Sequence, residues 1–200
     1  VSLLLVDTHL EGFKKGTNLE KIGLHSQDTS ELFFDNVKVP KDQLLGNAGQ
    51  GFAYLMQELP RERTSIAATA LGAIRGAIDL TVQYVNERQA FGQPIGKFQN
   101  TRFVLAQAKI DEYAVAAFYE RCVESYMAGT MDVTTAAAIK AFSTDTQMRV
   151  IDNLLQLFGG YGYMSEYPIS RFFVDARIQR IYGGTNEIMK EIVARDVLGR

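Results

Sequence analysis

The sequence has one cysteine, two histidines and almost no net charge, and each shortage excludes a class of protein. Cys122 cannot form an internal disulfide, and His9 and His25 lie too far apart in sequence to make a good metal set. We therefore expect a reducing compartment and no structural zinc or other metal. A formal net charge of −2, without a run of Lys or Arg, leaves no positive surface for a polyphosphate, so no nucleic-acid partner is expected.

A long apolar run is also missing near the start. The all-apolar stretch at residues 3–6 has no basic flank and is far shorter than the ~20 residues that span a bilayer, so we expect neither a signal peptide nor a membrane span. The chain starts at Val1, without an initiator Met, and enters strand-like sequence at once. We therefore expect it to be a piece of a longer protein.

What the sequence does contain is a β-like start followed by long helical stretches. Residues 1–52 hold VSLLLVD, GFKKG and SELFFDNVKVP, which are bounded by turn residues and typical of a few antiparallel strands. After the glycine-rich LGNAGQGF the hydrophobic period changes from two to 3.6. The sequence thus predicts an α+β protein, with a partial antiparallel β domain at residues 1–52 and a mostly antiparallel four-helix bundle at residues 53–200.

The helical region divides at proline and glycine. The first helix is predicted in two parts, residues 52–59 and 60–87, because proline fits best in a first helical turn. The second, residues 98–128, carries one apolar face, which is formed by Phe103, Ala106, Ile110, Tyr113 and Ala117. The third begins with Asp132 as N-cap and ends at a glycine pair. Two further helices are predicted at residues 169–179 and 186–198.

A carboxylate stands where the second part of the first helix is predicted to begin, in LPRERTSIA. The residues three and four positions away share the face of Glu62 and are mostly apolar: Leu55, Glu58, Leu59, Ser65 and Ile66. A carboxylate on an apolar face titrates at a raised pKa, as a general base working near neutral pH requires. The alternative is an exposed first-turn acid favoured by the helix dipole, and the residues alone leave both interpretations open.

Three glycine-containing stretches are candidates for ligand contact. In IYGGTNEIMKEI, two glycines before a helix let the backbone approach a ligand, although Thr185 can equally be an ordinary N-cap. ERQAFGQPIGKFQ and QLFGGYGYMSEYP are helix connections that contain an Arg and a Gln able to bond a ligand. Taken singly, none of the three identifies its ligand.

Taken together, four stretches resemble the acyl-CoA dehydrogenase family, flavoproteins that desaturate acyl-CoA thioesters. In chain order they are FFDNVKVPKDQLLG, RQAFGQPIGKFQ, QLFGGYGYMSEYP and DARIQRIYGGTNEI. The resemblance covers essentially the whole chain. It implies that residues 1–52 are the end of the family's middle β domain, that the remainder is its C-terminal helical domain, and that the family's N-terminal helical domain is missing.

The resemblance also implies a reaction. In the family a carboxylate removes the α-proton of the thioester, the β-hydrogen leaves as hydride to N5 of FAD, and donors hold the thioester oxygen. Many members carry the base directly after the Tyr of the last loop, where this sequence has Gly183. The long-chain and isovaleryl branches instead place a Glu before an Arg on the first helix, which here are Glu62 and Arg63. Glu62 is thus implied as the base, and the N–H of Gly183 as a donor to the thioester oxygen. Arg63, Tyr182 and Gly184 are implied as substrate-binding residues.

FAD is the implied cofactor, shared between subunits. Arg88 and Phe91 match residues that meet the FAD of a neighbouring subunit, with Gln99 following in the same loop. The segment that receives the adenosine part across the same contact is matched by Gln156, Gly159 and Gly160, and the contacts within one subunit by Thr185 and Glu187. A homo-oligomer, dimer or tetramer, follows from this sharing.

Substrate and partner are implied by the same resemblance, which is nearer to the long-chain than to the isovaleryl branch. Straight medium or long acyl chains are expected, with electrons passing to an electron-transfer flavoprotein. An acyl-CoA oxidase of the same fold and a non-catalytic helical scaffold stay as alternatives. The implied location is a bacterial cytoplasm or a mitochondrial matrix.

Overall fold

A computed structural model describes residues 1–199. The chain divides into two compact units, Val1–Leu59 and a helical unit that begins at Pro60. The first unit contains four short strands, and the second contains the helices that carry most of the buried side chains.

The first unit contains two antiparallel strand pairs. Strand β1 (Leu3–Leu4) pairs with β4 (Leu44–Leu45), and β2 (Phe13–Asn18) pairs with β3 (Ser30–Phe34). Phe13 on β2 lies opposite Phe34 on β3, and their rings meet edge to face with 5.3 Å between the centroids. The antiparallel strands predicted from the turn residues are confirmed.

Helix α1 runs without interruption from Gly51 to Glu87, so the predicted break at Pro60 is wrong. Proline removes one helical hydrogen bond and costs about 3 kcal/mol in a helix interior. The fully buried Ala67 and Ile74 belong to an apolar face whose packing offsets that cost. Glu62 consequently lies about three turns inside the helix rather than in its first turn. The interpretation of Glu62 as a dipole-favoured first-turn acid is therefore wrong.

The predicted connection after α1 contains a small hairpin, formed by β5 (Gln89–Ala90) and β6 (Gln93–Pro94). Its two tip residues, Phe91 and Gly92, have φ of +51° and +78°, as a tight two-residue hairpin requires. Phenylalanine is unusual in that conformation, which explains why the sequence did not predict the hairpin.

The remaining helices are α2 (Gln99–Met127), α3 (Val133–Gln156), α4 (Pro168–Arg177) and α5 (Asn186–Val197). Helix α3 is central and packs against the other three. The Asp132 side chain accepts a hydrogen bond from the Thr135 N–H at 2.7 Å, which confirms the predicted N-cap. The α+β class and the predicted helical bundle are confirmed.

The apolar face predicted for α2 faces solvent. Phe103, Ile110 and Tyr113 are all exposed, whereas smaller residues such as Ala108 and Val115 enter the core. Leu105 and Tyr119 of α2 are also partly buried against this core, so packing buries a different stripe from the predicted one. The sequence pattern favoured the wrong stripe because it weighs hydrophobicity and not fit.

Helix α1 also passes the length and composition test for a membrane span, alone among residues 1–199. Core helices of globular proteins pass the same test, and the apolar face of α1 supplies Leu71, Ile74 and Ala77 to the main core.

Candidate functional site

Glu62 and Gly183, which are far apart in sequence, line one groove in the helical unit. The groove has a volume of about 560 Å³, and its lining is Arg61, Glu62, Ser65, Ile66, Tyr182 and Gly183. A Cβ added at Gly183 would lie 2.5 Å from Ile66 Cδ1, and the residue has φ of +65°, so glycine suits this position on both counts. Ile66 is one turn beyond Glu62 on α1. The structure thus brings the carboxylate and the glycine loop (residues 182–185) to the same place.

The Glu62 carboxylate is exposed in this chain. Ile66 and Tyr182 supply apolar surface beside it, but they do not cover it. Within residues 1–199 it has neither a hydrogen bond nor an ion pair, so no cation fixes it in place. An apolar cover for this carboxylate has to come from the ligand or from another chain.

Arg63, the next residue, is turned into the protein and is only 4% exposed. Its Nε donates to the Gly183 carbonyl at 3.5 Å, and its buried Nη1 has no partner among the described residues. Burial lowers the pKa of Arg63, while the nearby charge of Glu62 opposes that shift. An unpaired buried guanidinium N–H suits an oxygen-bearing ligand.

A second buried cation, Lys140 on α3, holds the other carbonyl of the glycine loop. Its Nζ donates to the Gly184 oxygen at 2.8 Å and to Asn186 Oδ1 at 2.8 Å, and the residue has no exposed surface. Asn186 Nδ2 in turn donates to Asp145 Oδ1 at 2.8 Å. Burial lowers the pKa of Lys140 to about 8, against the opposing charge of Asp145. Sequence analysis missed Lys140, although a lone cation in the apolar run TTAAAIKAFS was a usable signal.

The glycine loop leads directly into α5. Thr185 is the N-cap, and its hydroxyl accepts from the Ile188 N–H at 3.4 Å, so this predicted alternative is confirmed. Glu187 is exposed in the first turn, where a hydrogen bond from its own backbone N–H lowers its pKa. Tyr182 is half-buried, and burial raises its pKa.

A second cavity, of about 550 Å³, lies at the other end of α1. Four residues that the sequence associates with adenosine and phosphate line it together: Arg88, Gln156, Gly159 and Gly160. The Arg88 guanidinium lies 5.4 Å from the centre of the Tyr161 ring, and a Cβ added at either glycine would meet no atom within 4 Å. Aromatic rings, a guanidinium and open glycine backbone suit the adenosine diphosphate part of FAD.

Two of the residues predicted in the loop that meets the FAD of a neighbouring subunit do not line this cavity. Phe91 is 95% exposed at the hairpin tip, and Gln99 is exposed at the start of α2. Their assignment to FAD stays a prediction.

The groove and the cavity are far apart on one chain. Continuous helix separates Glu62 from Arg88, which corresponds to about 40 Å along the axis. The groove and the cavity are therefore separate sites on this chain.

Comparison with known proteins identifies the family. Residues 49–198 match the family described as acyl-CoA dehydrogenase, C-terminal domain, and the chain belongs to the acyl-CoA dehydrogenase family. It is similar to the mitochondrial long-chain specific acyl-CoA dehydrogenase of Sus scrofa, with 44% identity over 99% of this chain and 46% of that protein.

Two solved structures have the same fold. One is an acyl-CoA dehydrogenase from Geobacillus kaustophilus, with TM-score 0.95, 45% identity, and coverage of 98% of this chain and 52% of that one. The other is described as the electron transferring flavoprotein of Acidaminococcus fermentans, with TM-score 0.95, 36% identity, and coverage of 100% of this chain and 52% of that one. The chain therefore spans about half the length of the proteins it matches.

Proposed function

We propose that this chain carries the base-bearing half of an FAD-dependent acyl-CoA dehydrogenase, which forms a double bond between Cα and Cβ of an acyl-CoA thioester. The observation that carries the proposal is the groove shared by Glu62 and Gly183. The base for the α-proton and the amide donor for the thioester oxygen have to lie beside the same thioester, and these two residues lie on facing elements.

Glu62 removes the α-proton in this proposal. Its carboxylate is not held by a cation within the described residues, so it is available to the substrate. The acyl chain would cover it, and loss of water favours proton transfer to a carboxylate. Gly183 leaves room for the chain because a larger residue at that position would collide with Ile66.

The backbone of the glycine loop holds the thioester oxygen. A hydrogen bond from the Gly183 N–H to that oxygen acidifies the α-carbon, because it stabilises the enolate charge that forms as the proton leaves. The buried guanidinium of Arg63 supports the same charge from below the loop. Tyr182 and Gly184 complete the substrate contacts.

Bound FAD would supply the acceptor for the hydride that leaves the β-carbon. Thr185 and Glu187 would hold its flavin end, while Arg88, Gln156, Gly159 and Gly160 would hold the adenosine diphosphate end of a second FAD, which belongs to another subunit. The separation of about 40 Å between the groove and the cavity supports this division, and with it a homo-oligomer. The exposed side chain of Phe91 and the exposed apolar stripe on α2 support it further.

The acyl chain is medium or long and straight, and the electrons pass to an electron-transfer flavoprotein. The similarity to a long-chain specific relative supports the first statement, and the similarity to a solved structure described as the electron transferring flavoprotein of Acidaminococcus fermentans supports the second. A soluble location in a bacterial cytoplasm or a mitochondrial matrix is consistent with both.

The test is the anaerobic loss of visible flavin absorbance when a long-chain acyl-CoA is mixed with three flavin-loaded proteins: the parent chain, Glu62→Gln and Glu120→Gln. Glu120 is an exposed carboxylate on α2 and serves as the matched control. We expect bleaching in the parent and in Glu120→Gln, and a rate lower by about 10²–10⁴-fold in Glu62→Gln, because glutamine is nearly isosteric but is not a base.

The outcomes separate the alternatives. Equal bleaching of Glu62→Gln and the parent would show that another residue is the base. A chain that takes up no FAD would support the scaffold. Rapid reoxidation of the bleached flavin by oxygen would support an oxidase.

A further inference from the structure

The carbonyls of the two glycines in the glycine loop are both held from the protein side by buried cations. Arg63 on α1 donates to the Gly183 oxygen, and Lys140 on α3 donates to the Gly184 oxygen. Both cations are almost completely buried, and neither is part of the loop. The loop is therefore clamped by two helices that are remote from it in sequence.

Because the peptide unit is planar, this clamp also fixes the direction of the loop's N–H groups. In a trans peptide the C=O and the following N–H point in opposite directions, and no cis peptide occurs among residues 1–199. With the Gly183 and Gly184 oxygens directed at the cations, the N–H groups of Gly184 and Thr185 are directed away from them. Neither N–H donates to an acceptor within the described residues.

We infer that Lys140 is a positioning residue of the site: it holds the Gly184 peptide so that consecutive loop N–H groups face the oxygen atoms of a bound ligand. This inference rests on the proposed function for the identity of that ligand, but the orientation of the loop does not. Consecutive backbone N–H groups in such a turn form a ready acceptor site for oxygen or for negative charge.

Asn186, to which Lys140 donates, is hydrogen-bonded through both polar atoms of its side chain, which explains how a buried lysine is fixed there. Asn186, the first residue of α5, accepts from Lys140 through Oδ1 and donates through Nδ2 to Asp145 and to the Thr144 hydroxyl. A buried polar network in which every member is bonded has one arrangement. The loop inherits that arrangement through the Gly184 oxygen.

Lys140 also titrates in an accessible range, because burial lowers its pKa to about 8. The charged groups that act on it come from every element around it: Asp145 on α3, Arg63 on α1, Glu187 on α5, and Arg180 in the turn before the loop. Loss of the ammonium proton replaces a charge-assisted bond to Gly184 with a weaker neutral one. The Gly184 carbonyl therefore reports the protonation of Lys140.

The experiment is carbon-detected NMR of the ¹³C,¹⁵N-labelled 200-residue chain between pH 6.5 and pH 10. We expect the Gly184 carbonyl shift to titrate in the parent with the same midpoint as the Lys140 side-chain carbons, and to be flat in Lys140→Met. We further expect the backbone order parameters of the loop to fall from about 0.85 to below about 0.6 in that variant.

Two control variants separate positioning from general effects. Lys97→Met removes an exposed lysine just before α2, and Thr81→Val removes a fully buried hydroxyl of α1 that bonds within its own helix. Both should leave the Gly184 titration and the loop order unchanged, even where Thr81→Val lowers global stability as much as Lys140→Met does.

A flat Gly184 carbonyl in the parent, or a loop that is equally ordered in Lys140→Met, would overturn the inference. Should Lys140→Met not fold, the parent titration decides alone, since coincident midpoints support positioning and different midpoints refute it. The readout needs neither flavin nor substrate, so its result is independent of whether the chain bleaches with acyl-CoA.

Discussion

Moving the base from α1 to the glycine loop tests the packing between them. Gly183→Glu places a side chain at φ of +65°, which costs about 1–2 kcal/mol for a residue with a Cβ. Its Cβ would also lie 2.5 Å from Ile66 Cδ1, an overlap of the kind that costs about 1–3 kcal/mol in a packed site. We therefore expect the single variant to lose about 2–5 kcal/mol of unfolding free energy.

Ile66→Val removes the atom that collides. Alone it should cost about 0.5–1.5 kcal/mol. Combined with Gly183→Glu, it should relieve the overlap, so that the double variant is more stable than the sum of the single changes by about 1–3 kcal/mol. A double-mutant cycle by urea unfolding measures this coupling. In the matched cycle, Ile74→Val replaces Ile66→Val, and the effects should add within about 0.5 kcal/mol.

Additive effects in the Ile66 cycle would refute the close approach of the loop to α1. The same pair of changes in a Glu62→Gln background then tests the chemistry. If both positions reach one α-carbon, the triple variant should recover part of the flavin bleaching that Glu62→Gln lost, and more than Gly183→Glu recovers without Ile66→Val.

Three further predictions concern other parts of the chain. Asp132→Ala should lower the unfolding free energy by about 1 kcal/mol at pH 7. Because the Thr135 hydroxyl and N–H lower the pKa of Asp132, this difference in stability should be lost as the pH falls below about 4. A difference that stays constant in urea titrations at acid pH would contradict the prediction. Ile110→Lys, on the exposed stripe of α2, should lower the oligomeric state measured by sedimentation, whereas an unchanged state would remove this stripe from the interface. Arg88→Ala should weaken adenosine diphosphate binding in calorimetry by about 10–100-fold, while Arg102→Ala, at an exposed position of α2, should not.

Local sequence signals predicted local structure well. Asp132 caps α3 and Thr185 caps α5, because a cap depends only on atoms within three residues of itself. The change of hydrophobic period predicted the helices for the same reason. The four motifs identified the family, and with it the candidate site, although the roles of the individual site residues stay predictions.

Signals that depend on tertiary contacts were wrong or absent. Pro60 has the local character of a helix start, yet burial of the α1 face keeps the helix continuous through it. On α2 the apolar pattern predicted one buried face, but packing in the bundle buried another face, which places Ala108 and Val115 in the core.

The sequence by itself determined the helices, their caps and the family, because these follow from short-range patterns and from motifs that are read directly. Only the tertiary structure decided which surfaces are buried and that Glu62 shares a groove with Gly183. It also decided that Lys140 holds Gly184 across 44 residues of sequence. Such contacts depend on how whole helices fit together, and a pattern of neighbours along the chain carries no information on that fit.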